Sequence, residues 1–110
     1  MKKVLLIEDE EAIRMVLQSV IQRAGLQVTA CSDLETAYHE FEPSYDVLVV
    51  DISLPDGSGL DLVDYVHEKG YAGKVIVMTG HTGADAVATG ADHVLLKPFS
   101  ISTFLGLLES

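Results

Sequence analysis

The sequence predicts an α/β domain built on one parallel sheet with helices on both faces. Three observations carry this: aliphatic runs without polar alternation, apolar stripes at helical spacing between them, and glycine or proline at the junctions. Val4-Leu5-Leu6-Ile7, Val47-Leu48-Val49-Val50 and Val75-Ile76-Val77-Met78 are the clearest runs. Consecutive aliphatic residues suit a strand buried on both faces, the condition of a parallel sheet covered by helices.

In chain order, the strand ending at Ile7 leads to a helix from near Glu11. There Ile13, Leu17, Val20, Ile21 and Ala24 keep helical spacing, and Gly25 supplies the stop. Val28-Thr29-Ala30-Cys31 is a short second strand. Ser32 with Glu35 is expected to form a capping box for a helix whose apolar face is Leu34, Ala37, Tyr38 and Phe41, with Pro43 beyond its end. The third strand runs into Asp51. Residues 59–69 carry Leu60, Val63 and Val66 on one face and stop at Gly70, giving a third helix. The fourth strand ends at Thr79, and Val94-Leu95-Leu96 is the fifth. A last helix carries Ile101, Phe104, Leu105 and Leu108. Between Thr79 and Lys97, glycines, threonines and few strong helix formers leave one or two helical turns around residues 84–88, of low intrinsic stability.

Composition narrows the function. The 110 residues are expected to form a single domain (1–110), and 48% hydrophobic with 22% charged content is ordinary for a globular chain. A net charge of −10 argues against direct nucleic-acid binding, which demands a basic face. Cys31 is the only cysteine and reads as a small core residue, so no internal disulfide is expected. The apolar runs are strand-sized, and Met1-Lys2-Lys3 precedes only four apolar residues, so neither a membrane span nor a signal peptide is expected. The expected location is the cytoplasm.

The runs also end alike. Ile7 is followed by Glu8-Asp9, Val50 by Asp51, Met78 by Thr79 and Leu96 by Lys97-Pro98. Ligands in such sheets bind just beyond the carboxyl ends of the strands, so neighbouring strands would bring three carboxylates, a hydroxyl and an ammonium to one edge. Taken singly, each residue has an ordinary reading: Asp51 a turn former, Glu8 to Glu11 an acidic helix start, Thr79 a cap, Lys97 a solvated end. Their joint placement points to phosphoryl chemistry. An Asp carboxylate can accept a phosphoryl group when the charge on the transferring oxygens is neutralised. Magnesium favours oxygen ligands and needs only one or two carboxylates beside phosphate and water. His81 and His93 have no third nitrogen or sulfur ligand nearby for a zinc site and read as exposed polar residues, and His67 reads as a half-exposed helix residue.

From Lys3 to the last helix the chain resembles the receiver domains of two-component response regulators, in the CheY-like superfamily. The resemblance is carried by Glu8-Asp9, by Asp51 with its Leu54-Pro55-Asp56-Gly57-Ser58-Gly59 turn, by Thr79 and by Lys97-Pro98-Phe99. It implies a flavodoxin-like doubly wound five-stranded parallel sheet, order 2-1-3-4-5, here with a shortened fourth helix. It further implies that Asp51 is the phosphoacceptor, that Thr79 contacts and Lys97 pairs with the phosphoryl group, and that Glu8, Asp9, Asp51 and the backbone carbonyl of Ser53 hold Mg2+ or Mn2+. Before phosphorylation Lys97 is expected to pair with Asp51 or Asp9. The Lys97–Pro98 bond is cis in many such domains.

The implied function is a phosphorylation-dependent switch. A sensor histidine kinase or histidine phosphotransfer protein supplies the phosphoryl group, and the surface near the fourth helix, fifth strand and fifth helix changes toward an unknown downstream effector. Such a domain is no enzyme beyond its own phosphotransfer and autodephosphorylation. The alternative is a degenerate receiver acting as a phosphorylation-independent interaction module. A haloacid-dehalogenase-like hydrolase is disfavoured, because the second acid it needs two residues past the nucleophile is here Ser53.

Two departures from the family pattern concern output. The stretch between Thr79 and Lys97 is about one helical turn short, and the position three before the lysine, aromatic in most receivers, is Val94. Coupling through Thr79 is therefore expected to reorder residues 80–90 rather than rotate an aromatic ring. Amide hydrogen exchange tests this: phosphorylation should alter protection across residues 80–90, and unchanged exchange there would exclude the mechanism.

Overall fold

The computed structural model describes residues 2–80 and 90–109. In order come β1 (Lys3–Ile7), α1 (Glu11–Arg23), β2 (Gln27–Cys31), α2 (Leu34–Glu40), β3 (Val47–Asp51), β4 (Ser53–Leu54), β5 (Gly57–Ser58), α3 (Gly59–Glu68), β6 (Lys74–Thr79), β7 (His93–Leu96) and a last helix (Ile101–Glu109). The sheet order is β2-β1-β3-β6-β7, all parallel, which is the expected 2-1-3-4-5 once the two-residue β4–β5 ribbon is set aside. That antiparallel ribbon was not anticipated, although Pro55-Asp56-Gly57 between Leu54 and Ser58 is a turn signal. The expected short helix around residues 84–88, and His81, lie outside the described residues.

The unbroken aliphatic runs are explained by two cores, one on each face of the sheet. Alternate residues of one strand point to opposite faces. Leu5, Ile7, Leu48, Val50, Val75 and Val77 pack with Leu34 and Ala37 of α2 and with Leu62, Val63 and Val66 of α3. Val4, Leu6, Val47, Val49, Ile76 and Met78 pack on the other side with Leu17 and Ile21 of α1 and with Phe104 and Leu108 of the last helix. Cys31 is buried in the first core, as expected, and desolvation pushes its thiol up to about 11. Val94 packs at the margin of the same core, in register with Val77. No helix among the described residues is long and apolar enough to cross a membrane.

Two expectations at helix ends need correction. Ala24 is exposed and forms the C-cap of α1 instead of joining its buried stripe. At α2 the Ser32–Glu35 capping box does not form, because Asp33 takes the N-cap and its carboxylate accepts the Thr36 N–H at 2.8 Å. The Glu35 N–H instead donates to Asp56, 3.0 Å away.

Gly59 sets how closely α3 approaches the end of β3. A Cβ there would lie 2.1 Å from the Asp51 carbonyl oxygen and 2.8 Å from Val50 Cγ2. Gly106, within the last helix, would meet nothing within 4 Å. Urea unfolding should therefore show opposite signs. Gly59→Ala is expected to destabilise the fold by about 1–3 kcal/mol through overpacking, and Gly106→Ala to stabilise it by about 0.5–1 kcal/mol through helix propensity.

Candidate functional site

Strand parity decides which side chains meet. Asp51 continues the face of Val47 and Val49, Glu8 that of Val4 and Leu6, and Lys97 that of Leu95, all on the side covered by α1 and the last helix. β1 pairs directly with β3, Ile7 opposite Val50, so Glu8 and Asp51 leave the sheet side by side. Lys97 Nζ donates to Asp51 Oδ2 and to Glu8 Oε1, each at 2.6 Å. The second partner of the lysine is thus Glu8, where Asp51 or Asp9 was expected. The reason is burial: Glu8 is completely excluded from solvent while Asp9 is exposed. A buried carboxylate needs a counter-charge far more than a solvated one.

The remaining acceptors are occupied by backbone donors. Glu8 Oε2 accepts the Glu10 N–H at 3.1 Å, and Asp51 Oδ1 accepts the Ser53 N–H at 3.1 Å, an Asx-type bond that turns the chain out of β3. Burial pushes the Glu8 carboxyl above its ordinary value and the Asp51 charge adds to this, against the lowering effect of Lys97 and the Glu10 N–H. For Lys97, burial pulls downward, but the hydrogen bonds and charges of Asp51 and Glu8 outweigh it and hold the ammonium above its ordinary range.

Asp9, Glu8 and Asp51 each offer an oxygen within 4.8 Å of the others, the one such group of three metal-ligating side chains among the described residues. An all-oxygen donor set fits a hard divalent cation such as Mg2+. Ser53 opens the β4–β5 ribbon opposite Ser58. Thr79 is buried at the end of β6, and its carbonyl accepts the Lys97 N–H at 2.8 Å, so the two strand ends are tied through their main chains. The Lys97–Pro98 peptide is cis. His93 starts β7 and so stands at the opposite end of that strand from Lys97.

Sequence reasoning passed over Arg14. Its Nη1 reaches back from α1 to the carbonyls of Glu8 (3.0 Å) and Asp9 (3.3 Å), fixing the peptide that presents both acids. The available signal was spacing, since a residue on the first turn of α1 overhangs the loop that precedes it.

The triad makes a double prediction for the metal-free chain. Lys97→Met should cost about 3 kcal/mol at pH 7, because it strands a buried carboxylate. Adding Glu8→Gln should return much of that loss. The pH sign follows from the raised Glu8 value: the folded state holds that proton more tightly, so stability falls as pH rises from the ordinary 4.5 through the raised folded value. Urea midpoints across pH 4–8 should show this decline in the parent and its absence in Glu8→Gln.

Comparison with known proteins agrees with this architecture. The family model described as the response regulator receiver domain matches residues 4–109. The chain is 36% identical to the DNA-binding transcriptional regulator NtrC of Proteus hauseri, over 96% of this chain and 24% of that protein. It is 33% identical to the two-component response regulator PhoP of Pseudomonas aeruginosa, over 88% of this chain and 45% of that one. The chain therefore spans about half or less of the length of these relatives. Among solved structures, the non-phosphorylated HemR receiver domain from Leptospira biflexa superposes with a TM-score of 0.92 at 28% identity, covering 99% of this chain and 92% of that one. The beryllofluoride-activated NtrC4 receiver domain dimer gives 0.89 at 33% identity, covering 99% and 94%. With the family model matching nearly its whole length and the sheet order in agreement, this chain belongs to the response regulator receiver domain family.

Proposed function

We propose that the chain is a phosphorylation-dependent signalling switch in which Asp51 accepts a phosphoryl group from a phosphohistidine on a sensor kinase or phosphotransfer protein. The observation that carries this reading is the constellation at the sheet edge: a buried carboxylate at the end of β3, an ammonium 2.6 Å from it, and an acidic pair on the adjacent strand. An Asp51 oxygen attacks phosphorus, the P–N bond to the donor imidazole breaks with its electron pair returning to the ring, and an acyl phosphate results. When bound, a divalent cation neutralises charge on the transferring oxygens.

The other residues take their roles from where they stand. Asp9, Asp51 and the Ser53 carbonyl hold the cation, while Glu8 is divided between that site and Lys97. Lys97, already on Asp51 Oδ2, is placed to follow the charge onto a phosphoryl oxygen, and the Thr79 hydroxyl donates to another. The beryllofluoride-activated state named for the NtrC4 domain supports such chemistry in a relative of 33% identity. Asp51 is modified stoichiometrically, so the chain catalyses only its own phosphorylation and dephosphorylation. The net charge of −10 supports output through protein contacts rather than nucleic acid.

Intact mass after incubation with acetyl phosphate provides the test. One phosphoryl increment is expected with Mg2+, none with chelator, and none in Asp51→Ala. Lys97→Arg should retain Mg2+ binding but lose most of the increment, since a planar guanidinium does not substitute for a compact ammonium. Absence of any increment in the parent would favour a phosphorylation-independent interaction module.

A further inference from the structure

Asp56 lies at the tip of the β4–β5 ribbon and is exposed, yet its carboxylate is fully engaged. Oδ1 accepts the Leu34 N–H at 2.9 Å and Oδ2 the Glu35 N–H at 3.0 Å, so one side chain spans the first two amides of α2. These bonds, the Leu34 one foremost, hold its carboxyl below the ordinary range. The Asp33 side chain takes the Thr36 N–H, so the free amides of Leu34, Glu35 and Thr36 are all satisfied before the first intrahelical bond, from the Ala37 N–H to the Asp33 carbonyl. Two of these three bonds come from a loop 21 to 22 residues away.

The contact also has an apolar part. Gly57, at φ +149, passes so close to α2 that a Cβ would lie 3.0 Å from Leu34 Cδ1. Leu34 itself is buried in the core with Ala37. The ribbon tip is therefore referenced to the core through α2, while its base is fixed by the Ile52 N–H on the Met78 carbonyl and the Gly59 N–H on the Ile52 carbonyl. Ser53 lies between these two anchors.

We propose that Asp56 is a positioning residue for the cation site: by clamping the ribbon tip to α2 it holds the Ser53 backbone beside Asp51 in the arrangement a divalent cation requires. The inference rests on the reading that the Asp9–Asp51 site takes such a cation. A carbonyl ligand has no side chain to steer it, so its direction is set entirely by how the loop is held. Outer contacts of this kind are worth about tenfold or more in metal affinity.

Isothermal titration of the chain with MgCl2, paired with urea unfolding, tests it. Asp56→Ala should weaken Mg2+ binding about tenfold, with Asp56→Asn, which retains one acceptor, in between. Asp33→Ala is the control: it removes an acid and a cap from the same helix start without releasing the ribbon. It should lower the urea midpoint comparably and leave Mg2+ affinity unchanged. Parent-like affinity in Asp56→Ala, or an equal loss in Asp33→Ala, would overturn the proposal. A parent chain that binds no Mg2+ would instead overturn the reading of the cation site itself, and the clamp with it.

Discussion

The buried carboxylate of Glu8 is the constraint around which the rest of the site is arranged. A fully desolvated acid at the end of β1 sits beside Asp51 at the end of β3, and like charges so placed repel in a medium that screens poorly. One ammonium between them relieves both at once. That requirement dictates where β7 must end, on which face Lys97 must emerge, and hence the register of β7 on β6. It also explains the location of Asp9, whose charge is left in water instead of being added to the buried pair.

The loop past Asp51 is governed by sterics instead. Gly59 lets α3 begin against the Asp51 carbonyl, and the Ser58 hydroxyl caps it by accepting the Leu60 N–H at 3.2 Å. The turn between them cannot drift, because its ribbon and the Asp56 contact hold it to α2. A rigid support under a single reactive carboxylate is what a site needs if its geometry is to be set before any ligand arrives. The sheet edge thus uses two means, charge balance among the ends of β1, β3 and β7 and close backbone packing in the loop past β3.

Much of this was legible in the residues. Unbroken aliphatic runs gave away a sheet covered on both faces, and the acids, threonine and lysine at their ends marked the site. Parity was equally readable, since Glu8, Asp51 and Lys97 each continue the face opposite to Ile7, Val50 and Val94, and it would have favoured Glu8 over Asp9 as the lysine's partner. What stayed hidden depends on tertiary approach. Ser32 and Asp33 are both competent caps, and only the extended backbone at Asp33 separates them. No local pattern could show that an Asp in a Pro-Asp-Gly turn would serve a helix start 21 to 22 residues earlier.

Charge counting at the edge indicates how a signal would leave the proposed switch. Three carboxylates and one lysine leave two negative charges, which a bound divalent cation would cancel; a phosphoryl group of charge near −2 would then replace the single charge of Asp51 and unbalance the site again. Lys97 is the residue able to respond, since it touches Asp51 directly, but its bond to buried Glu8 restrains it to a pivot. The pivot is not isolated. The Lys97 N–H is bound to the Thr79 carbonyl, and two residues on, Phe99 stacks on the buried Phe104 of the last helix with ring centroids 5.9 Å apart. A shift of the lysine would therefore reach the end of β6 and the last helix together, through a hydrogen bond and a ring contact. With Val94 in place of an aromatic ring on β7, this main-chain and Phe99 route is the one the described packing supplies.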